Sequence, residues 1–273
     1  MPRPSLVMLL FAVTTAAPSL AGQSRDATAD SLMSLWIDSV GGMTTYERFR
    51  SASFTVTTVL YDTVSGRIRK SRPRYVWIKK GPHGEETRVE RWEDYGFIAQ
   101  GFDGRSSWAT IDGSLVPDTA KDARQALYVA RDLFYWMGLP FKLRDPGVFL
   151  HYNGLVERPG RDLSTAGTPG ARIETLHHAV GVSFGKGVGE HQDVFTYYFP
   201  PGRGFPTEVT YVESGRTNLN RLLWGESGRF GELGYPVVLR RDWVTLSGKR
   251  TKALVIGDVV INPEVLQGMF ERR

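Results

Sequence analysis

Between Ser53 and Ile111 the residues alternate at a period of two, in short runs whose links are too short for a crossover, and this restricts the fold most. Phe54, Val56, Thr58 and Leu60 share one face of the first run; Thr55, Thr57, Val59 and Tyr61 share the other. Asp62 to Gly66 is a turn cluster. Residues 67–79 read as the returning strand, with Tyr75 and Trp77 on one face and Val76 and Ile78 on the other. Residues 88–92, 96–101 and 106–111 continue the meander. Parallel strands need connections of about a dozen residues or more, so the pairing is antiparallel.

The second half is again strand-rich, over residues 148–157, 171–184, 193–199, 208–212, 220–224, 236–246 and 252–261. Residues 157–169, rich in Gly, Pro and Ser, read as a loop. Two helices break the pattern. Residues 26–40 place Leu32, Leu35, Trp36 and Val40 at helical spacing, with Asp30 and Ser31 as candidate N-caps and Gly41-Gly42 as the stop. A short helical turn is expected at 45–49. Residues 117–136, capped by Asp118, carry an apolar stripe of Ala123, Leu127, Ala130, Leu133 and Phe134 that must lie on an apolar surface. Asn262-Pro263-Glu264 reads as the start of a terminal helix. The expected fold is mainly β (α+β). A large curved antiparallel sheet forms an incomplete barrel, with an N-terminal helix and a mid-chain lid helix.

The first residues read as a cleavable export signal. Arg3 is the basic start, Leu6 to Val13 the apolar stretch, and Ser19-Leu20-Ala21 the cleavage region, with the cut after Ala21. The apolar run is far short of the ~20 residues a spanning helix needs, so the chain reads as exported and not integral to the membrane. The expected organisation is a signal peptide at 1–21 and one half-barrel domain at 22–273. The 273 residues contain no cysteine, which excludes disulfides, thiolate metal sites and an amino-terminal lipid anchor. A net charge of +5 spread among acidic residues is no nucleic-acid footprint. The basic stretch of Arg67, Arg69, Lys70, Arg72, Arg74, Lys79 and Lys80 reads as a solvated sheet face, with anionic lipid contact as the less favoured reading.

Several segments resemble a known family. They are Trp36-Ile37-Asp38-Ser39-Val40-Gly41-Gly42, the short helix ending at Phe49, the turn Gly101-Phe102-Asp103-Gly104 followed by Trp108, and the stretch from Phe134-Tyr135-Trp136 through Asp145-Pro146-Gly147. Together they resemble uncharacterised bacterial periplasmic proteins similar to the outer-membrane lipoprotein-sorting, LolA/LolB-like carriers. The resemblance implies an incomplete antiparallel barrel closed by a helical lid, whose apolar concavity holds acyl chains. It carries no binding residue across, because no Arg here matches the carriers' functional cation.

No catalytic residue is identified. Gly-x-Ser-x-Gly and His-Glu-x-x-His are absent, and Ser247-Gly248-Lys249 has the wrong gap for Ser-x-x-Lys. Gly185-Lys186-Gly187-Val188-Gly189 lacks the Walker ending, and Asp103 and Asp145 read as turn residues. His83, His151, His177, His178 and His191 show no metal spacing, so no metal and no cofactor is expected. The remaining signal is aromatic. Trp77, Phe97, Trp108, Leu127, Phe134, Trp136, Phe195 and Tyr197 are the candidate cavity lining. The function read from this is a periplasmic binding or carrier protein for an apolar, acyl or lipid-like ligand held between sheet and lid. The alternatives are an envelope interaction or sensor module with a protein partner, and, least favoured, a hydrolase.

Overall fold

Strand alternation is realised as a 13-stranded sheet in which every pairing is antiparallel. The computed structural model describes residues 26–117, 120–159, 174–186, 188, 193–266 and 268–271. The expected leader, the Asp118 cap, His191 and most of the 157–169 loop lie outside these residues.

The chain begins with helices α1 (Ala27–Ser39) and α2 (Gly42–Arg48). Strands β1 (Ser51–Tyr61), β2 (Ile68–Gly81), β3 (Gly84–Glu93), β4 (Gly96–Phe102), β5 (Ser107–Ile111) and β6 (Ser114–Leu115) form the meander. Helix α3 (Lys121–Met137) and a 3-10 turn (Phe141–Arg144) follow. The second half supplies β7 (Val148–Pro159), β8 (Glu174–Phe184), β9 (Val194–Phe199), β10 (Glu208–Val212) and β11 (Leu219–Trp224). After these come β12 (Ser227–Phe230), β13 (Tyr235–Val238), β14 (Arg240–Val244) and β15 (Arg250–Ile261). The order across the sheet is β6-β5-β4-β3-β2-β1-β15-β14-β11-β10-β9-β8-β7, and β12–β13 stand apart as a hairpin. The sheet is not closed, since β6 and β7 are its edges.

All the helices lie on one side, the inner face, where two apolar clusters form. In the first, Ala52, Phe54 and Val56 of β1 and Val76 and Ile78 of β2 meet Leu133, Phe134 and Met137 of α3. In the second, Ala29, Met33 and Trp36 of α1 meet Val180, Val182, Tyr197, Phe199, Val209 and Leu222. Each fully buried side chain of this size contributes about 1.5–3 kcal/mol. Helix α3 therefore covers the first half of the sheet and α1 the second.

Local chemistry sets the ends of these elements. Asp26, not Asp30 or Ser31, caps α1, with Oδ1 accepting from the backbone N–H groups of Thr28 and Ala29, each at 3.1 Å. Its Oδ2 accepts from the Tyr152 N–H at 2.8 Å, which fastens α1 to β7. Gly41 turns the chain from α1 into α2 at φ +105°, where a Cβ would lie 2.6 Å from Thr45 Oγ1.

Three expectations are corrected. Residues 236–246 form not one strand but two, β13 and β14, parted at Leu239. Leu239 donates its N–H to Glu226 O and accepts from Ile256 N–H, so the chain steps between the hairpin and the main sheet. Among the described residues no helix starts at Asn262. Asn262 takes φ 55°, and its side-chain oxygen accepts from the Arg50 and Ser51 N–H groups at 2.7 and 3.2 Å, pinning the chain to β1. The helix expected at 45–49 starts earlier, at Gly42.

On the outer face Trp108 lies flat over Gly101, where a Cβ would come within 2.3 Å of its ring. Its Nε1 donates to Phe270 O at 2.8 Å, and Arg88 donates to Met269 O at 2.9 Å. Residues 268–271 thus cover this part of the outer face.

Candidate functional site

A cavity of about 1100 Å³ opens beside the carboxyl end of α3. Its inner wall is made by Trp36 and Val40 of α1, Trp136 of α3, Leu139 and Pro140 after it, Trp224 of β11 and Val237 of the hairpin. Trp36 is the keystone: its ring lies 5.0 Å from Trp224, 5.5 Å from Tyr197 and 5.9 Å from Phe199. These are the spacings of edge and offset aromatic packing, which fix ring positions as well as bury area. Trp224 Nε1 is buried without a hydrogen-bond partner among the described residues.

The lining also passes to the outer face, because Leu223 and Trp224 are neighbours on one strand and both contribute. That outer part is polar and internally paired. Glu208 accepts from Arg221 at 2.8 and 2.9 Å and is also held by Arg158. Asp242 accepts from Arg240 at 3.0 Å and from Arg250 at 2.8 Å. With Glu208 and Asp242 both matched by guanidinium groups, this wall reads as a structural ion-pair ladder rather than an acid–base site.

Inside, Trp136 joins the cavity to a charged layer. Its Nε1 donates to Asp132 at 2.8 Å, and the Arg241 guanidinium lies over its ring at 4.8 Å. Burial pushes the Asp132 carboxyl up, against the opposing pull of the Trp136 hydrogen bond and of Arg241, Lys252 and Arg74. Burial likewise draws Arg241 down to about 10, with Asp132 opposing the shift. The Tyr135 and Tyr197 hydroxyls meet at 3.4 Å, and burial raises both.

The candidate lining residues fall into three groups. Trp136 lines the cavity. Phe134, 1% exposed, and Phe195 and Tyr197 lie on the inner face but are packed into the two clusters. Leu127 is half-buried on α3. Trp77, Phe97 and Trp108 lie on the outer face, away from both helices. Trp77 alternates with the inward Val76 and Ile78; Phe97 packs on Trp92 at 5.1 Å; Trp108 sits under Phe270. Val40, Trp224 and Val237 are inner lining residues that the sequence reading left out, and it also left out the buried Arg241 behind Trp136. Arg241 had a readable signal, since on β14 it shares a face with the half-buried Trp243.

Among the described residues no group of three or more His, Asp or Glu is placed to hold a metal. His177 is buried on the outer face, and His178 bonds the Tyr152 hydroxyl at 2.9 Å. As adjacent strand residues they face opposite ways.

No family model matches the chain, and no curated protein matches it in sequence. Solved structures do match. A DUF1329 family protein from Desulfovibrio piger superposes with a TM-score of 0.53 at 9% identity, over 89% of this chain and 97% of that one. A putative outer membrane lipoprotein-sorting protein domain from Vibrio parahaemolyticus superposes at 0.50 with 8% identity, over the same shares of 89% and 97%. The chain therefore has the open half-barrel fold of lipoprotein-sorting domains, carried on a sequence only 8–9% identical to these structures.

Proposed function

We propose that this protein binds and carries an apolar, acyl or lipid-like ligand in the envelope, without catalysing a reaction. The indole-lined cavity on the inner face carries this reading: Trp36, Trp136 and Trp224 with Leu139 and Val237 offer an apolar wall beside a helix. The fold shared with a lipoprotein-sorting domain supports it. The leader-like sequence of residues 1–21 supports work in the periplasm, by one half-barrel domain at 22–273. No helix among the described residues is long and apolar enough to cross a membrane. A protein-interaction role draws its support from outer-face aromatics, of which Trp92 is 73% exposed.

The test is native mass spectrometry of the protein isolated from its own envelope, paired with binding of a fluorescent fatty-acid analogue. Val238 lines the cavity and is only half-buried, so Val238→Trp fills the space from its edge. The wild type is expected to carry an acyl-sized adduct. The variant is expected to lose it and to bind the analogue at least about 10-fold more weakly, a difference of about 1.4 kcal/mol. A clean apo mass together with no analogue binding by the wild type would overturn the carrier reading.

A further inference from the structure

The basic stretch of β2 divides into two parts in the structure. Lys80 donates to the Tyr46 carbonyl at 2.6 Å, and Lys79 pairs with Glu86 at 3.2 Å. Arg74 donates to Thr58 Oγ1 at 3.2 Å, and Arg72 faces Glu93 at 3.7 Å. Arg67, Arg69 and Lys70 are exposed and make no salt bridge with another described residue. They stand at the tip of the β1–β2 hairpin. β2 meets β3 only from Tyr75 onward, so this tip projects past the end of its neighbour.

A second turn lies beside it. Leu60 opposes Lys252 and Val244 opposes Arg250, so the β14–β15 turn, residues 245–249, adjoins the β1–β2 turn at one rim of the sheet. The Arg250 guanidinium sits over the Tyr61 ring at 5.1 Å and pairs with Asp242 at 2.8 Å, which ties the two hairpins together. Each turn is also bonded within itself. Asp62 Oδ1 accepts from the N–H groups of Val64 and Ser65 at 3.1 and 2.7 Å. The Thr245 N–H donates to Lys249 O at 2.8 Å, and the Gly248 N–H to Thr245 O at 2.9 Å. What these fixed turns hold out into solvent is apolar: Val64 is 90% exposed, Leu246 73% and Ile68 63%.

Singly exposed aliphatic residues are ordinary, but three at the tips of two adjoining turns are not. Their surroundings say what meets them. Within residues 61–72 and 245–252 seven cations stand against one acid, Asp62, whose carboxylate is turned into its own turn. Arg72 and Arg250 have carboxylate partners and Lys252 packs on Trp243, which leaves Arg67, Arg69, Lys70 and Lys249 for an outside partner. We propose that these two turns dock the protein on an anionic lipid surface. Val64, Leu246 and Ile68 enter the headgroup boundary, and the four cations meet the lipid phosphates. Apolar insertion and attraction to anionic lipid are the two terms of interfacial binding, and both are present on one protruding rim. The convex shape of the tip suits a bilayer, which yields around it, rather than a groove-forming protein partner. The inference goes beyond the carrier reading and does not depend on it, since it rests on the rim and not on the cavity.

The test is flotation with vesicles of phosphatidylcholine alone and of equal parts phosphatidylcholine and phosphatidylglycerol. The wild type is expected to bind the mixed vesicles about 10-fold or more tighter than the neutral ones, and less tightly as salt is raised. Arg69→Gln combined with Lys70→Gln is expected to weaken binding to mixed vesicles about 10-fold, and Val64→Ser combined with Leu246→Ser by a similar factor. All four positions are exposed, so unchanged thermal melts separate lost docking from lost fold. The chain has no cysteine, so Val64→Cys and Leu155→Cys each create one labelling site for an environment-sensitive dye. The dye is expected to shift to the blue on mixed vesicles at position 64 and not at position 155, on the edge strand β7. Equal binding to both vesicle types, or a dye response at 155 as large as at 64, would overturn the proposal. No binding to either vesicle would also overturn it and leave an acidic protein surface as the partner of the tip. None of these outcomes bears on the cavity, whose fatty-acid analogue binding is read separately.

Discussion

Asp26 shows how much a single side chain can organise. One carboxylate caps α1 through two N–H groups and ties down β7 through a third. The Tyr152 N–H, then the Ala29 N–H, holds its carboxyl below the ordinary value of 3.8. A carboxyl whose folded value is depressed contributes stability that is present above its unfolded value and is lost as pH falls through the folded one. Asp26→Asn should therefore melt below wild type at neutral pH, and the gap should close as the pH is taken below 3.8. Thermal melts of both proteins across that range check this, and a gap that persists in acid would count against it. At the same scale lies the clearest limit of the sequence. The alternation of Tyr75, Val76, Trp77 and Ile78 was legible, but which parity faced the helices was not. Both faces of β2 carry large apolar groups, and the smaller aliphatic pair is the buried one. Of the outer indoles, Trp108 finds cover beneath Phe270, while Trp92 stays 73% exposed.

The helices are the elements whose role the sequence announced most plainly. The stripe of α3 does lie on the sheet, and Gly41-Gly42 does end α1. The stripe could not tell whether Phe134 would meet ligand or core. It meets core, with Phe49 6.4 Å away edge-on and Phe54, Ile78 and Ile256 in the same cluster. Phe134→Ala should thus cost about 3–5 kcal/mol of stability through transfer and cavity terms, read from denaturant unfolding. A loss below about 1 kcal/mol would mean that the site collapses or is already open. The split of 236–246 into β13 and β14 was illegible for a different reason. Its residues suit a strand throughout, and only the approach of Glu226 and Ile256 to Leu239 turns the chain out of the main sheet.

At the scale of the whole molecule, the sheet has two halves, each a run of neighbours in sequence: β1 to β6 on one side, β7 to β11 with β14 on the other. They are joined where β15 lies between β1 and β14. Removing residues 250–261 should therefore abolish the cooperative unfolding transition of both halves, followed by near-ultraviolet circular dichroism. Retention of a native-like signal in either half would show that it folds alone. The count and direction of strands were readable from alternation and link length. Their order was not, because the central pairing is made between segments at opposite ends of the described chain. That placement has a kinetic consequence. Ala52 opposes Ile261 and Leu60 opposes Lys252, so the middle of the sheet waits for β15, the last of the described strands in chain order. Contacts so distant in sequence raise the loop entropy that precedes any reward and slow folding. A chain ordered in this way stays open through all the earlier strands and gains its shape only once β15 is in place.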